Sequence, residues 1–108
     1  MKKNTKAKKY EDYLTKYSGK KGWLKKRTKI SDYWYNLGVE GGGRVKGVSY
    51  TENECYEKSL EIQPKQSWPW NNLGSLGGGT VHGVSYSKKE CYEKARSEEH
   101  TSELQSPM

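Results

Sequence analysis

Two stretches of this chain have nearly the same sequence. Residues 34–59 and 70–95 are identical at 17 of 26 aligned positions and lie 36 residues apart. A fixed period of this length is typical of proteins built from several copies of one small structural unit. The repeat constrains the fold because any local structure that the first copy adopts is expected in the second copy as well.

The first part of each unit has the pattern of a short helix. Ser31 and Ser67 are suited to cap a helix N-terminus, because a hydroxyl can accept a hydrogen bond from a free backbone N–H. Three consecutive glycines follow in each copy, at 41–43 and 77–79, and each disfavours helix by roughly 1 kcal/mol relative to alanine. The pattern predicts helices near residues 32–40 and 68–76.

The second part of each unit has the pattern of a β-hairpin. Lys46-Gly47 and His82-Gly83 each separate two short runs rich in valine, serine and tyrosine. A two-residue connection that contains glycine between such runs is the signature of a tight antiparallel turn. We therefore predict short strands near residues 44–50 and 80–86.

The third part begins with a capping box. Thr51 with Glu54, and Ser87 with Glu90, have the spacing at which a hydroxyl and a carboxylate satisfy two free N–H groups reciprocally. An amphipathic stretch follows and ends before Pro64 in the first copy. The expected helices cover residues 52–62 and continue onward from residue 88.

The repeated residues resemble the signature of the tetratricopeptide repeat family. The matching positions are Trp34, Leu37, Gly38, Tyr56, Ser59 and Pro64 in the first unit, and Trp70, Leu73, Gly74, Tyr92 and Ala95 in the second. The sequence differs from the family in its period of 36 instead of about 34 residues and in the glycine-rich hairpin. The resemblance implies a mainly α helix-turn-helix repeat solenoid with a short β-hairpin inserted between the paired helices of each repeat.

The chain divides by composition into four segments. Residues 1–30 form a basic N-terminal arm that contains 12 basic and two acidic side chains, whereas the rest of the chain is close to neutral. Two tetratricopeptide-like repeats follow at 31–66 and 67–95, the second one truncated. The last segment, 96–108, is interpreted as a non-native tail.

The tail interpretation depends on one resemblance. The eleven residues from Arg96 to Ser106 match one translation frame of a common short-read sequencing adapter. The alternative is a polar tail that continues the preceding helix. On the adapter interpretation the natural chain is interrupted inside a helix soon after Ala95.

The resemblance also implies a function. In tetratricopeptide proteins this side of the first helix lines a concave groove that binds a peptide, so Asn36 and Asn72 are candidate partner-binding residues. Their neighbours Tyr35 and Asn71 differ between units, as residues specific to one partner would. The alternative is that the two asparagines serve the turn or the neighbouring helix. The leading hypothesis is a protein-protein interaction scaffold that is not an enzyme.

The N-terminal arm offers a second hypothesis. Tyr10, Tyr13, Leu14 and Tyr17 recur at helical spacing, which predicts a helix over residues 5–18 that packs on the first repeat as a cap. The alternative is that the arm contacts nucleic acid, because phosphate binding uses basic residues interleaved with aromatic ones. The candidate residues for that contact are Lys20, Lys21, Trp23, Lys25, Lys26 and Arg27.

The remaining chemistry-bearing residues do not form a recognisable site. Cys55 and Cys91 have no metal-ligand spacing, and His82 stands at a turn without a nucleophile beside it, so we expect no catalytic residues, metal or cofactor. Free thiols and the lack of a signal or membrane-spanning segment favour an intracellular, cytoplasmic protein, with a nuclear location as the alternative. The truncated second repeat predicts self-association through its open end.

Overall fold

The helices and strands follow the repeat. The computed structural model describes residues 5–17 and 23–105. In order, the chain forms α1 (Thr5–Tyr17), a 3-10 turn (Trp23–Lys26), α2 (Arg27–Val39), β1 (Gly43–Val45), β2 (Val48–Tyr50), α3 (Glu52–Ile62), α4 (Ser67–Ser75), β3 (Gly78–Val81), β4 (Val84–Ser87) and α5 (Lys88–Gln105).

The two predicted hairpins are confirmed. β1 pairs antiparallel with β2 and β3 with β4, each closing on a valine pair, Val45 with Val48 and Val81 with Val84. Both turns have positive φ at their two central residues, 52° and 79° at Lys46-Gly47 and 52° and 77° at the equivalent turn. This geometry suits the right-handed twist of the strands.

Both predicted capping boxes are also present. The Glu54 backbone N–H donates to the Thr51 hydroxyl at 3.2 Å, and the Thr51 N–H donates back to the Glu54 carboxylate at 2.8 Å. Ser87 and Glu90 repeat the arrangement at 3.1 and 2.8 Å. Local sequence therefore determines where α3 and α5 begin.

The two serine caps predicted for the other helices are wrong. α2 begins at Arg27, so Ser31 lies inside the helix, where its buried hydroxyl is 3.0 Å from both the carbonyl and the hydroxyl of Ser59. Ser67 is the first residue of α4, and Gln66 occupies the cap position. Packing of α2 against α3 overrides the local preference of Ser31, because a buried hydroxyl needs a partner wherever it lies.

The predicted helix-turn-helix solenoid is wrong. Strands interrupt the helices of each unit, and the described residues form a mainly helical globule with two small antiparallel hairpins. The reason is the conformation of the glycines: Gly41 and Gly42 have φ of 101° and 100°, and Gly77 and Gly78 have 102° and 108°. Such backbone cannot continue a helix, so a ribbon separates helices that a short turn would otherwise join.

The buried side chains form two clusters that share α3. The first contains Ala7, Leu14, Ile30, Trp34, Leu37, Val45 and Cys55. The second contains Tyr56, Leu60, Trp70, Leu73, Val81, Cys91 and Ala95. Because neighbouring residues of α3 face opposite clusters, this helix is the wall between the two units.

Each unit stacks its tryptophan on the tyrosine of its own hairpin. Trp34 meets Tyr50 edge-on with ring centroids 4.9 Å apart, and Trp70 meets Tyr86 at 4.7 Å. An edge-to-face pair adds about 0.5–1.5 kcal/mol beyond the area that it buries. A two-stranded ribbon is only marginally stable by itself, and these ring contacts hold each ribbon on a helix.

The predicted N-terminal helix is present and packs on the first unit. Leu14 is 2% exposed in the first cluster. The rings of Tyr10 and Tyr13 lie 5.3 and 4.3 Å from the ring of Tyr33 on α2. None of the helices in the described part of the chain has both the length and the hydropathy that a membrane crossing requires.

Candidate functional site

The structure brings together two of the four candidate partner residues. The Asn72 amide donates to the hydroxyl of Tyr35 and to that of Tyr56, each at 3.3 Å. Tyr56 in turn donates to the Glu52 carboxylate at 3.3 Å. This chain of hydrogen bonds joins α2, α3 and α4, so Asn72 helps to hold the two units together.

The Tyr56 phenol in this network has a raised pKa. Burial raises the pKa of Tyr56 to about 12, although the hydrogen bond from Asn72 acts in the opposite direction. A phenol that stays protonated can donate to Glu52 while it accepts from the amide. The donor and the acceptor of each hydrogen bond in the network therefore stay the same throughout the neutral pH range.

The other two candidates stand outside this network. Asn36 is half-buried on α2, and Asn71 is exposed on α4. The backbone carbonyl of Asn71 accepts from the Ser75 hydroxyl at 3.2 Å. Asn36 occupies the position equivalent to Asn72. Asn72 bonds to Tyr35 of the preceding unit, and the described residues contain no such unit before Asn36.

Asn36 and Asn71 belong to one surface formed by α2 and α4, which we call the A face. Positions 35, 36 and 39 on α2 and 68, 71, 72 and 75 on α4 recur at helical spacing, so each set lies on one side of its helix. The opposite sides are buried and carry the tryptophan, leucine and glycine of the repeat. The bond from Asn72 to Tyr35 connects the two sets.

The A face carries two of the five large apolar side chains that the described chain exposes. Trp68 is 64% exposed and Val39 50%; the others that the described chain exposes are Leu76, just after α4, and Val48 and Val84 on the hairpins. Sequence reasoning missed Trp68 as a surface residue. Its spacing of three from Asn71 and two from the buried Trp70 was the available signal.

A carboxylate on the preceding helix docks each hairpin. The Arg44 N–H donates to Glu11 at 2.7 Å, and the equivalent Thr80 N–H donates to Glu57 at 2.9 Å. α1 therefore lies on the first unit much as α3 lies on the second. Sequence reasoning missed this equivalence, although Tyr-Glu-x-x-Leu occurs at both 10–14 and 56–60.

An open cleft of about 460 Å³ lies in the first unit. Its walls are formed by residues of α1, α2, the first hairpin and α3. Its apolar and aromatic lining includes Leu14, Ile30, Trp34, Val45, Tyr50 and Ile62, and Lys46, Lys58 and Glu61 supply its charged groups. Cavities that bind small molecules have volumes in this range and a similar, mostly apolar lining.

The basic candidates are only partly placed. Lys20 and Lys21 fall outside the described residues, and Trp23 lies in the 3-10 turn. Lys25, Lys26 and Arg27 are exposed at the start of α2. The Lys26 ammonium lies 5.1 Å from the centre of the Tyr17 ring, so the predicted mixture of basic and aromatic groups extends into α1.

Two further lysines approach the same tyrosines. Lys16 lies 5.4 Å from the Tyr17 ring centre, and Lys29 lies 5.6 Å from that of Tyr13. A cation over a ring face contributes about 0.5–1 kcal/mol at an exposed position. Together with Lys26, these side chains define the arm patch.

The cysteines are buried in the two clusters. Burial, followed by the charges of Glu54 and Glu52, raises the pKa of Cys55 to about 12, and burial likewise raises the pKa of Cys91. A protonated, enclosed thiol is a poor nucleophile and a poor metal ligand. Within residues 5–17 and 23–105, no group of His, Cys, Asp or Glu side chains has the arrangement of a metal site.

Comparison with known proteins gave no relative for this chain. No protein-family model matches it, and no significant match was found among curated proteins or among solved structures. The resemblance to tetratricopeptide repeats therefore stays a prediction from sequence. The interpretation of residues 96–108 also stays a prediction, and α5 runs through most of that segment, to Gln105.

Proposed function

We propose that this protein is a non-enzymatic protein-interaction module that binds a peptide segment on the A face. The observation that carries the proposal is the 64% exposed Trp68 among amide and apolar side chains of α2 and α4. Interfaces are anchored by a few residues, and tryptophan is enriched among them. An exposed tryptophan on a rigid helix is suited to such a contact.

The proposed contact combines an apolar anchor with polar pairing. Trp68 and Val39 supply apolar area, and the amides of Asn36 and Asn71 can each donate to and accept from a peptide backbone. Asn72 and Tyr35 contribute by fixing α4 relative to α2. This division revises the role of Asn72, because its amide already has two partners within the chain.

A peptide selected from a random library tests the proposal. The binding of that peptide to the whole chain should weaken at least tenfold in Trp68→Ala and several-fold in Asn71→Ala. Val84→Ala is the matched control, since Val84 is an exposed apolar residue on the second hairpin. Selection of no peptide, or equal binding by Trp68→Ala and the control, would contradict the proposal.

A second candidate function is nucleic-acid association through the arm patch. Support comes from Lys16, Lys26 and Lys29, whose ammonium groups gather over Tyr13 and Tyr17 next to the exposed Lys25 and Arg27. Binding of single-stranded DNA should then weaken steeply between 50 and 500 mM salt, because phosphate binding releases counterions. A peptide on the A face should show little salt dependence.

Self-association through α5 is a further part of the proposal. Glu11 and Glu57 each accept an N–H from a hairpin, whereas Glu93, the third member of the series, is exposed. A second copy could supply an N–H to that carboxylate. Sedimentation velocity should then show a concentration-dependent mass that Glu93→Lys reduces to that of the monomer. Asp12→Lys, the same change of charge at an exposed position of α1, should leave it unchanged.

The location of the protein is proposed on the same chemical basis. Two buried free thiols suit a reducing, intracellular compartment, in the cytoplasm or the nucleus.

A further inference from the structure

The cleft in the first unit is lined by charged side chains as well as by apolar ones. Lys46 and Lys58 supply two positive charges and Glu61 one negative charge. Within the described ranges, an ion pair joins Lys8 to Asp12 on α1, and no carboxylate pairs with Lys46 or Lys58. The ammonium groups of Lys46 and Lys58 are therefore available to interact with water or with a ligand.

Lys58 is positioned at the aromatic wall of the cleft. Its ammonium lies 5.8 Å from the centre of the Tyr50 ring, and Tyr50 is itself stacked on Trp34. A cation held over an aromatic ring remains able to pair with an anion on its open side. An apolar chain in the cleft would place its head group near this ammonium.

The second unit provides an internal comparison. There the linker between α3 and α4 passes close to Trp70, whose indole N–H donates to the Pro64 carbonyl at 2.9 Å. Gln66 stands where the first unit has Ile30, and it is tied to Ser31 at 2.8 Å. These contacts replace apolar lining with hydrogen-bonded polar groups.

The space beside Tyr86 in the second unit is also smaller and more acidic. It encloses about 220 Å³ and is lined by Tyr86, Glu90, Glu93 and Lys94, so two carboxylates face one ammonium. The charge balance is the reverse of that in the cleft. The second unit also has a positively charged hollow on α5, but four of the five residues that line it are charged. The cleft of the first unit combines an apolar floor with an excess of positive charge.

We propose that the cleft binds a small amphiphilic anion, specifically a free medium-chain carboxylate. The hydrocarbon lies against Ile30, Trp34 and Val45, and the carboxylate pairs with Lys58 and Lys46. Burial of the hydrocarbon supplies most of the affinity, and the lysines select the charge. Glu61 disfavours a doubly charged head group.

Octanoate, octylammonium and 1-octanol at equal chain length are the probes for this site. In NMR titrations of the whole chain below the micellar range, octanoate should bind at least tenfold more tightly than octylammonium. The backbone amide shifts should centre on Val45, Val48 and Ile62. Equal binding of the three probes, shifts elsewhere, or no binding would each overturn the proposal.

Matched lysine variants identify the head-group contact. Lys58→Glu should weaken octanoate binding at least tenfold, whereas Lys58→Arg should retain it within about threefold. Lys94→Glu is the control, because Lys94 lies 5.9 Å from the Tyr86 ring in the same relation as Lys58 to Tyr50. Equal losses in Lys58→Glu and Lys94→Glu would overturn the proposal, and unchanged amide spectra without ligand would show that both variants fold.

Discussion

At the scale of single residues, close packing explains why a glycine faces a tyrosine in each unit. A Cβ added at Gly38 would lie 2.6 Å from the Tyr56 ring, and one at Gly74 would lie 2.8 Å from the Tyr92 ring. Tyr56 is 2% exposed and hydrogen-bonded to Glu52 and Asn72, whereas Tyr92 is half-buried on α5 and has one hydroxyl contact, with Ser75 at 3.4 Å. The same substitution therefore meets a fixed ring in the first unit and a movable one in the second.

We predict that Gly38→Ala destabilises the protein more than Gly74→Ala. Overpacking costs about 1–3 kcal/mol, and alanine returns roughly 1 kcal/mol in helix propensity. The net loss in the free energy of unfolding should be about 1–2 kcal/mol for Gly38→Ala and near zero for Gly74→Ala in urea titrations. Equal losses would contradict the assigned difference in ring mobility.

The buried thiols predict a loss of stability at alkaline pH. The pKa of Cys55 is raised in the folded protein, so above about pH 9 the unfolded chain releases a proton that the folded chain keeps. Stability is then constant below pH 8 and falls by up to about 1.4 kcal/mol per pH unit for each such thiol. The double variant Cys55→Ala/Cys91→Ala should show a shallower decline between pH 9 and 10.

At the scale of elements, α1 is attached to the first hairpin through the Glu11 carboxylate and through the Thr15 hydroxyl, which accepts from the Lys46 N–H at 3.1 Å. We predict that Glu11→Ala lowers the free energy of unfolding by about 1–2 kcal/mol, because the Arg44 N–H loses its charged acceptor. Asp12→Ala removes the same charge from an exposed ion pair and should lower the free energy of unfolding far less. Hydrogen exchange at the Arg44 amide should accelerate only in Glu11→Ala.

The capping boxes set the starts of α3 and α5. Thr51→Ala should lower the free energy of unfolding by about 1 kcal/mol, since the Glu54 N–H loses the hydroxyl that accepts its hydrogen bond. Ser49→Ala, an exposed substitution two residues away, is the control. A loss in the control as large as that in Thr51→Ala would show that the cap contributes little.

At the scale of the whole molecule, the two small clusters and the exposed ends predict marginal stability. The first cluster is closed by α1, whereas α5 has no described element on its outer side. The Lys8–Asp12 ion pair contributes little, because it is exposed at both ends. The thermal midpoint should lie below about 60 °C, and a monomer that melts sharply above it would contradict this prediction.

The sequence by itself determined the features that depend on neighbouring residues. Positive φ at Lys46-Gly47 and the reciprocal bonds of Thr51 and Glu54 follow from spacings of one to three residues, which local rules describe. The hairpins and the starts of α3 and α5 were predictable for this reason.

Only the tertiary structure decided the features that join distant parts of the chain. Ser31 bonds to a residue 28 positions away, and Asn72 to one 37 positions away. The exposure of Trp68 and the cleft beside Trp34 likewise depend on how the helices and hairpins pack. The local pattern also suggested a solenoid, which the structure replaced with two hairpin-separated units, because the energy of burying a side chain depends on partners that no short window of sequence contains.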